Sequence, residues 1–108
     1  MFKITSHKGF QMTFENGWTV SVQFGPGNYC DRRDDDFNAP RNVSSGHWEG
    51  ITAEIAAWNQ ADEWFRFGSD TVDGWQSSDS VARFIQFVSS IDGNDVSESS
   101  AFKSGPRE

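Results

Sequence analysis

The stretch Gly9 to Phe24, GFQMTFENGWTVSVQF, constrains the fold more than any other part of the chain, because alternation and turn chemistry agree there. Phe10, Met12 and Phe14 alternate with Gln11, Thr13 and Glu15, and Trp18, Val20, Val22 and Phe24 alternate with Thr19, Ser21 and Gln23. This is the period-two pattern of strands buried on one face. The same pattern sets the turn. A two-residue Asn16-Gly17 turn would put Glu15 opposite Trp18 and split the apolar set across both faces. A three-residue loop, Glu15-Asn16-Gly17, pairs Phe14 with Trp18, Met12 with Val20 and Phe10 with Val22. It also places Gly17 at the left-handed position that a type I turn plus bulge requires.

The rest of the chain is read around this hairpin. Phe2 and Ile4 alternate in a stretch too short to decide between a leading strand and a frayed end. Gly25 to Gly50 is loop-like on composition, with two prolines, several glycines and a run of charges. Its length marks it as functional or disordered, since loops beyond about fifteen residues are uncommon inside a compact domain. A second hairpin is expected from Ile51 to Trp58 and from Glu63 to Phe67, with a helix over Thr52 to Gln60 as the alternative. If Ile55, Ala57, Phe65 and Phe67 face the core, parity sends Trp58, Trp64 and Arg66 to the opposite face beside Glu54. Ser69 to Gln76 reads as a connector.

Ser77, Ser78 and Asp79 offer helix caps, and Val81, Phe84, Ile85, Val88 and Ile91 form one apolar stripe. Gly93 would end that helix. The polar, serine-rich residues 94–108 read as a mobile tail beyond a single domain of residues 1–93. The expected fold class is α+β: a four-stranded, mostly antiparallel sheet of two hairpins joined by a long loop, with one C-terminal helix on one face.

Charge and cysteine content restrict function. Sixteen acidic against nine basic residues give a formal charge of -7, which repels nucleic-acid phosphates and disfavours direct nucleic-acid binding. It suits a partner with a basic surface. The single Cys30 excludes an intramolecular disulfide, and the absence of a signal-like leader or long apolar run points to a cytoplasmic protein with no membrane contact.

The chemical motifs fall short. Asp34, Asp36 and Asn38 alternate like the start of a calcium loop, but Ala39 stands where glycine is needed and Ser45 where the closing glutamate belongs, so no metal or other cofactor is expected. Cys30 with His7 or His47 has the residue types for a thiol nucleophile, yet Asp31 beside it disfavours the thiolate. No catalytic residue is assigned and no enzymatic activity is expected. Asn42-Val43-Ser44 is a glycosylation sequon without a secretory context.

Five tryptophans are the better pointer. Trp58 and Trp64 with Arg66 and Glu54 have the composition of an interface, and Asp34, Asp35 and Asp36 add a charged patch for a partner. The alternative is a small-ligand site for a nucleotide or sugar, built from the glycine-rich turn Gly25, Gly27, Asn28 and Tyr29 with Trp48. An open apolar sheet face also suggests a homodimer.

The segments GFQMTFENGWTVSVQFGPGNYCD and GWQSSDSVARFI resemble small uncharacterised accessory proteins encoded by tailed phages and mobile elements. That resemblance implies a role in the cytoplasm of a bacterial host, as an inhibitor that occupies a surface of host machinery. It carries no site residue across. The reading is therefore of a small acidic binding protein that acts through protein–protein contact.

Overall fold

The computed structural model describes residues 1–5, 9–35 and 49–108. His7, Asp36, Asn38, Ala39, the 42–44 sequon, Ser45, His47 and Trp48 lie outside the described residues. Five strands run in chain order: β1 Phe2–Thr5, β2 Gly9–Thr13, β3 Thr19–Gln23, β4 Thr52–Trp58 and β5 Asp73–Ser77. They form one antiparallel sheet in the order β1-β2-β3-β4-β5. Helix α1, Ser78–Ser89, follows at once, and a 3-10 helix, Val96–Ala101, lies near the end.

The hairpin register is the one that alternation demands. Phe10 pairs with Val22 and Met12 with Val20. The Phe14 amide donates to the Trp18 carbonyl at 2.9 Å, and Gly17 sits at φ +90. Asn16 does more than turn the chain. Its Oδ1 accepts from the Trp18 amide, while its Nδ2 donates to the carbonyls of Val88 and Ile91, and the Trp18 indole donates to the Gly93 carbonyl. Loop and helix end are thereby fastened together, satisfying carbonyls that a helix terminus leaves open.

Two expectations about the sheet are corrected. It has five strands rather than four, because Phe2–Thr5 is a strand and pairs with β2. The partner of β4 is β5, not Glu63–Phe67. The earlier segment makes only an isolated bridge, Trp58 to Trp64, with the Phe65 amide donating to Ala57. Asn59, buried, explains the departure: its Oδ1 accepts from the amides of Ala61 and Glu63, and its Nδ2 donates to the Asn94 carbonyl. The chain then reverses again between Phe67 and Asp70, with Gly68 at φ +64.

Strand β5 reads as a connector because Asp-Gly-Trp-Gln-Ser carries no strand signal; tertiary bonds hold it. Buried Gln76 donates to the carbonyls of Gly74 and Gly105 and accepts from Ser80 Oγ at 2.7 Å. Trp75, at φ +52, lies in the register shift opposite Glu54, the geometry of a β-bulge.

Ser77 caps α1 as expected, accepting from the Ser80 amide. The apolar stripe is also realised: Val81, Phe84, Val88 and Ile91 are buried with Val20, Val22, Ile55 and Ala57. The helix stops earlier than the sequence suggests, at a Ser90 cap, with Gly93 three residues further on. Phe65 is fully buried at the centre of an aromatic cluster whose ring centroids lie 5.1 Å away for Phe67 and Phe84 and 6.0 Å away for Phe87 and Phe102.

Phe102 belongs to the segment read as a mobile tail. In the structure that segment is bonded back to the domain: Gly105 donates to Ser80 Oγ, Arg107 pairs with Asp73, and the Glu108 amide donates to the Trp75 carbonyl. The domain boundary at Gly93 therefore gives way to one packed unit of sheet, helix and C-terminal segment.

Helix α1 contacts β3, β4 and β5. A helix is about 10 Å across and strands lie about 4.8 Å apart, so one helix covers two or three strands. On the same face, β1 and β2 extend beyond it.

Candidate functional site

The two edges of the sheet are built differently. At the β5 edge, the Trp75 amide donates to the Tyr29 carbonyl at 2.8 Å and the Trp75 carbonyl accepts from Glu108 at 3.0 Å. Loop and C-terminus therefore cover that edge, one of the ways proteins protect an edge strand.

At the β1 edge, Met1 and Thr13 exchange both backbone bonds, each at 2.9 Å. Bonded pairs alternate along an antiparallel ladder, so Lys3 and Thr5 bond inward to Gln11 and Gly9. The amides and carbonyls of Phe2 and Ile4 then point outward. Among the described residues, no backbone group bonds to them. Their side chains are exposed as well, 78% for Phe2 and 89% for Ile4.

Those side chains share the helix-side face, since Phe2 pairs with Met12 and Ile4 with Phe10. Phe10 in turn lines an apolar groove of about 390 Å³ with Val22, Phe24, Ile51, Ala53 and Val81, at the start of α1. The uncovered part of the face is thus one apolar surface that runs from the open edge to the helix.

The opposite face is polar along β1 to β3. Thr5 Oγ1 donates to Gln23, Gln23 donates to Ser21 Oγ, and the hydroxyls of Thr13 and Thr19 share a bond. An apolar reverse face, the expected basis for a homodimer, is not what these strands present.

Trp58 and Trp64 do meet on that reverse side, with ring centroids 4.9 Å apart and Trp64 39% exposed. Parity placed them correctly relative to buried Ile55, Ala57 and Phe65. The rest of the expected group is scattered. Arg66 lines a separate cleft with Phe67 and Arg107, and Glu54 accepts from the Tyr29 amide at 3.0 Å. Asp34 is exposed and Asp35 half-buried in the turn after Cys30.

The acidic residue with a clear task is Asp31, whose carboxylate accepts from the amides of Ile51 and Thr52 and from the Thr52 hydroxyl. Partial burial alone would raise its pKa. The two amides, the hydroxyl and the Arg32 guanidinium outweigh that and hold it below the ordinary carboxylate value.

The glycine-rich turn also has its bonding complete. Gly25 donates to Asn28 Oδ1, Gly27 to the Arg33 carbonyl, Asn28 to the Gly25 carbonyl, and Tyr29 to Glu54. These amides are turned to the chain itself and form no nest for an anion. Tyr29 stacks on Trp75 at 5.7 Å, with Arg33 over the tyrosine and Arg107 over the indole, so its ring packs the loop onto β5. Cys30 is buried, and that burial, reinforced by Asp31 and Glu54 against a bond from the Arg32 amide, pushes the thiol up and keeps it protonated.

Among the described residues there is no group of three or more His, Cys, Asp or Glu that could hold a metal ion, and no helix long and apolar enough to cross a membrane. The alternation of Phe2 and Ile4 was the sequence signal for the open edge, but only the pairing of β1 with β2 shows which way its backbone points. Comparison with protein-family models, with curated proteins and with solved structures finds no match for this chain.

Proposed function

We propose that the protein is a binding module that captures an extended segment of another protein by strand addition at β1. The observation that carries this reading is the coincidence at Phe2 and Ile4 of outward backbone groups and exposed apolar side chains. Strand addition uses both: main-chain bonds supply affinity, and alternate side chains supply specificity.

The captured segment alternates apolar and polar residues. Its apolar side chains lie beside Phe2 and Ile4 on the helix-side face, and the groove next to Phe10 receives a flanking apolar residue. With sixteen acidic and nine basic residues in the chain, basic flanks on the partner give the complementary charge.

In the register that pairs both exposed side chains of each copy, a second copy is a poorer occupant. The two-fold pairing that sets Phe2 against Ile4 of the other copy also sets Lys3 against Lys3, and like charges directly opposite destabilise a strand pair. Inhibition of host machinery, the role that the sequence resemblance implies, would work through this same edge.

The test is selection of peptides from a displayed random library, followed by titration of a selected peptide against wild type, Ile4→Thr and Ile4→Pro. Proline removes the outward Ile4 amide while leaving the bonds between β1 and β2 in place, as edge strands tolerate. Ile4→Pro is expected to bind at least about tenfold more weakly than Ile4→Thr, with both melting as folded proteins. Enrichment of no peptide, equal binding by Ile4→Pro, or a wild-type dimer by light scattering that Ile4→Pro dissociates would overturn the reading.

A further inference from the structure

Between the Arg66–Asp73 stretch and the C-terminal segment lies a cleft of about 500 Å³. That size is in the range of small-molecule sites. It is lined by three of the nine basic residues of the chain, Arg66, Lys103 and Arg107, but by only two of the sixteen acidic ones, Asp70 and Asp73. The cleft therefore reverses the charge balance of the protein around it.

Asp73 is bonded through one oxygen to both Nε and Nη2 of Arg107. Arg66 and Lys103 are different: both are exposed, and among the described residues neither has a carboxylate within ion-pair distance. Among the described residues these two cations thus stand unpaired on one concave surface of a chain in which acidic residues outnumber basic ones. Between them Phe67, Val72 and Phe102 provide apolar lining. The aromatic cluster around Phe65 holds Phe67 and Phe102, with centroids 5.1 and 6.0 Å from it, so this lining is fixed rather than assembled around a ligand.

From this arrangement we infer that the cleft is a binding site for a small amphipathic anion, its charged head on Arg66 and Lys103 and its apolar body against Phe67, Val72 and Phe102. Charge-assisted bonds to an anionic head are about twice as strong as neutral ones, and arginine adds a fork suited to two oxygens. Carboxylates and phosphate monoesters share this chemistry. The site lies at the β5 side of the sheet, at the opposite end of the strand order from β1.

Backbone NMR titration with phenylacetate, phenyl phosphate and neutral phenylacetamide tests the site in the 108-residue chain. At least one anion is expected to shift the resonances around Arg66, Phe67 and Lys103 saturably at millimolar concentration, and the tighter of the two identifies the head group. Phenylacetamide should bind at least about tenfold more weakly, and the Arg66→Gln/Lys103→Gln double variant should lose at least about tenfold in affinity for the anion while Lys3→Gln loses none. Binding by neither anion, equal binding of phenylacetamide, or an unaffected double variant would overturn the assignment. An equal loss in Lys3→Gln would do the same, because the effect would then be one of net charge.

Discussion

The Asn16 side-chain amide donates to the Val88 carbonyl at 2.9 Å, and so the loop of the first hairpin closes the end of the helix. A second bond from the same nitrogen reaches Ile91. Asn16→Ala should lower stability by about 1–3 kcal/mol in denaturant unfolding, because the Ile91 carbonyl loses its side-chain donor and the Trp18 amide its acceptor, while the Val88 carbonyl keeps the Ile91 amide. Asn16→Asp should cost at least as much. It keeps the acceptor for the Trp18 amide but turns a negative charge on two carbonyls at the negative end of α1.

Gly74 faces Tyr29 at a distance that no side chain fits. A Cβ there would come within 2.5 Å of Tyr29 Cβ and 2.8 Å of its carbonyl oxygen. Gly74→Ala should therefore push the Tyr29 loop off β5 and destabilise by about 1–3 kcal/mol. The near-ultraviolet circular dichroism of the stacked Tyr29 and Trp75 should weaken with it.

Phe102 tests whether the C-terminal segment belongs to the fold. Its ring lies 5.3 Å from Phe84 and 5.4 Å from Phe87. Phe102→Ala is expected to cost about 2–4 kcal/mol by thermal or denaturant unfolding, scaled down from a full core truncation for its partial exposure. A detached tail would show no change.

Asp31 gives the pH dependence. Its folded-state pKa lies below the ordinary value of 3.8, so its contribution to stability is complete above that value and is lost as pH falls through it toward the lowered one. The stability difference between wild type and Asp31→Asn should accordingly be constant near neutral pH and shrink in that acid window. Cys30 moves the other way. With its thiol raised by burial, alkylation by iodoacetamide should be slow in the native protein at pH 8 and rapid after unfolding.

What the sequence made legible follows from where the determinants lie. The hairpin from Phe10 to Phe24 and the stripe from Val81 to Ile91 are specified by neighbours in the chain, so pattern alone recovers register, turn and helix face. Parity likewise put Trp58 and Trp64 across the sheet from Ile55 and Ala57. It misplaced Arg66 because the strand pattern ends sooner than the aromatic run, where Phe67 and Asp70 close a turn. Strand β5 was hidden for the opposite reason. Gly74 and Gln76 are poor strand formers, held in place by Tyr29, Gly105 and Ser80, which lie elsewhere in the chain. The cleft drew on Arg66, Lys103 and Arg107, whose spacing carries no motif. The outward groups of Phe2 and Ile4 depended on a single register choice that alternation leaves undecided.

Amide hydrogen exchange along β1, measured with and without a selected peptide, tests strand addition most directly. In the unbound protein the amides of Lys3 and Thr5 should be protected, while those of Phe2 and Ile4 exchange as in an open chain. With peptide bound, Phe2 and Ile4 should become protected and Lys3 should stay as it was. Protection of Phe2 and Ile4 before any peptide is added, or their continued fast exchange in the saturated complex, would contradict a binding edge at β1.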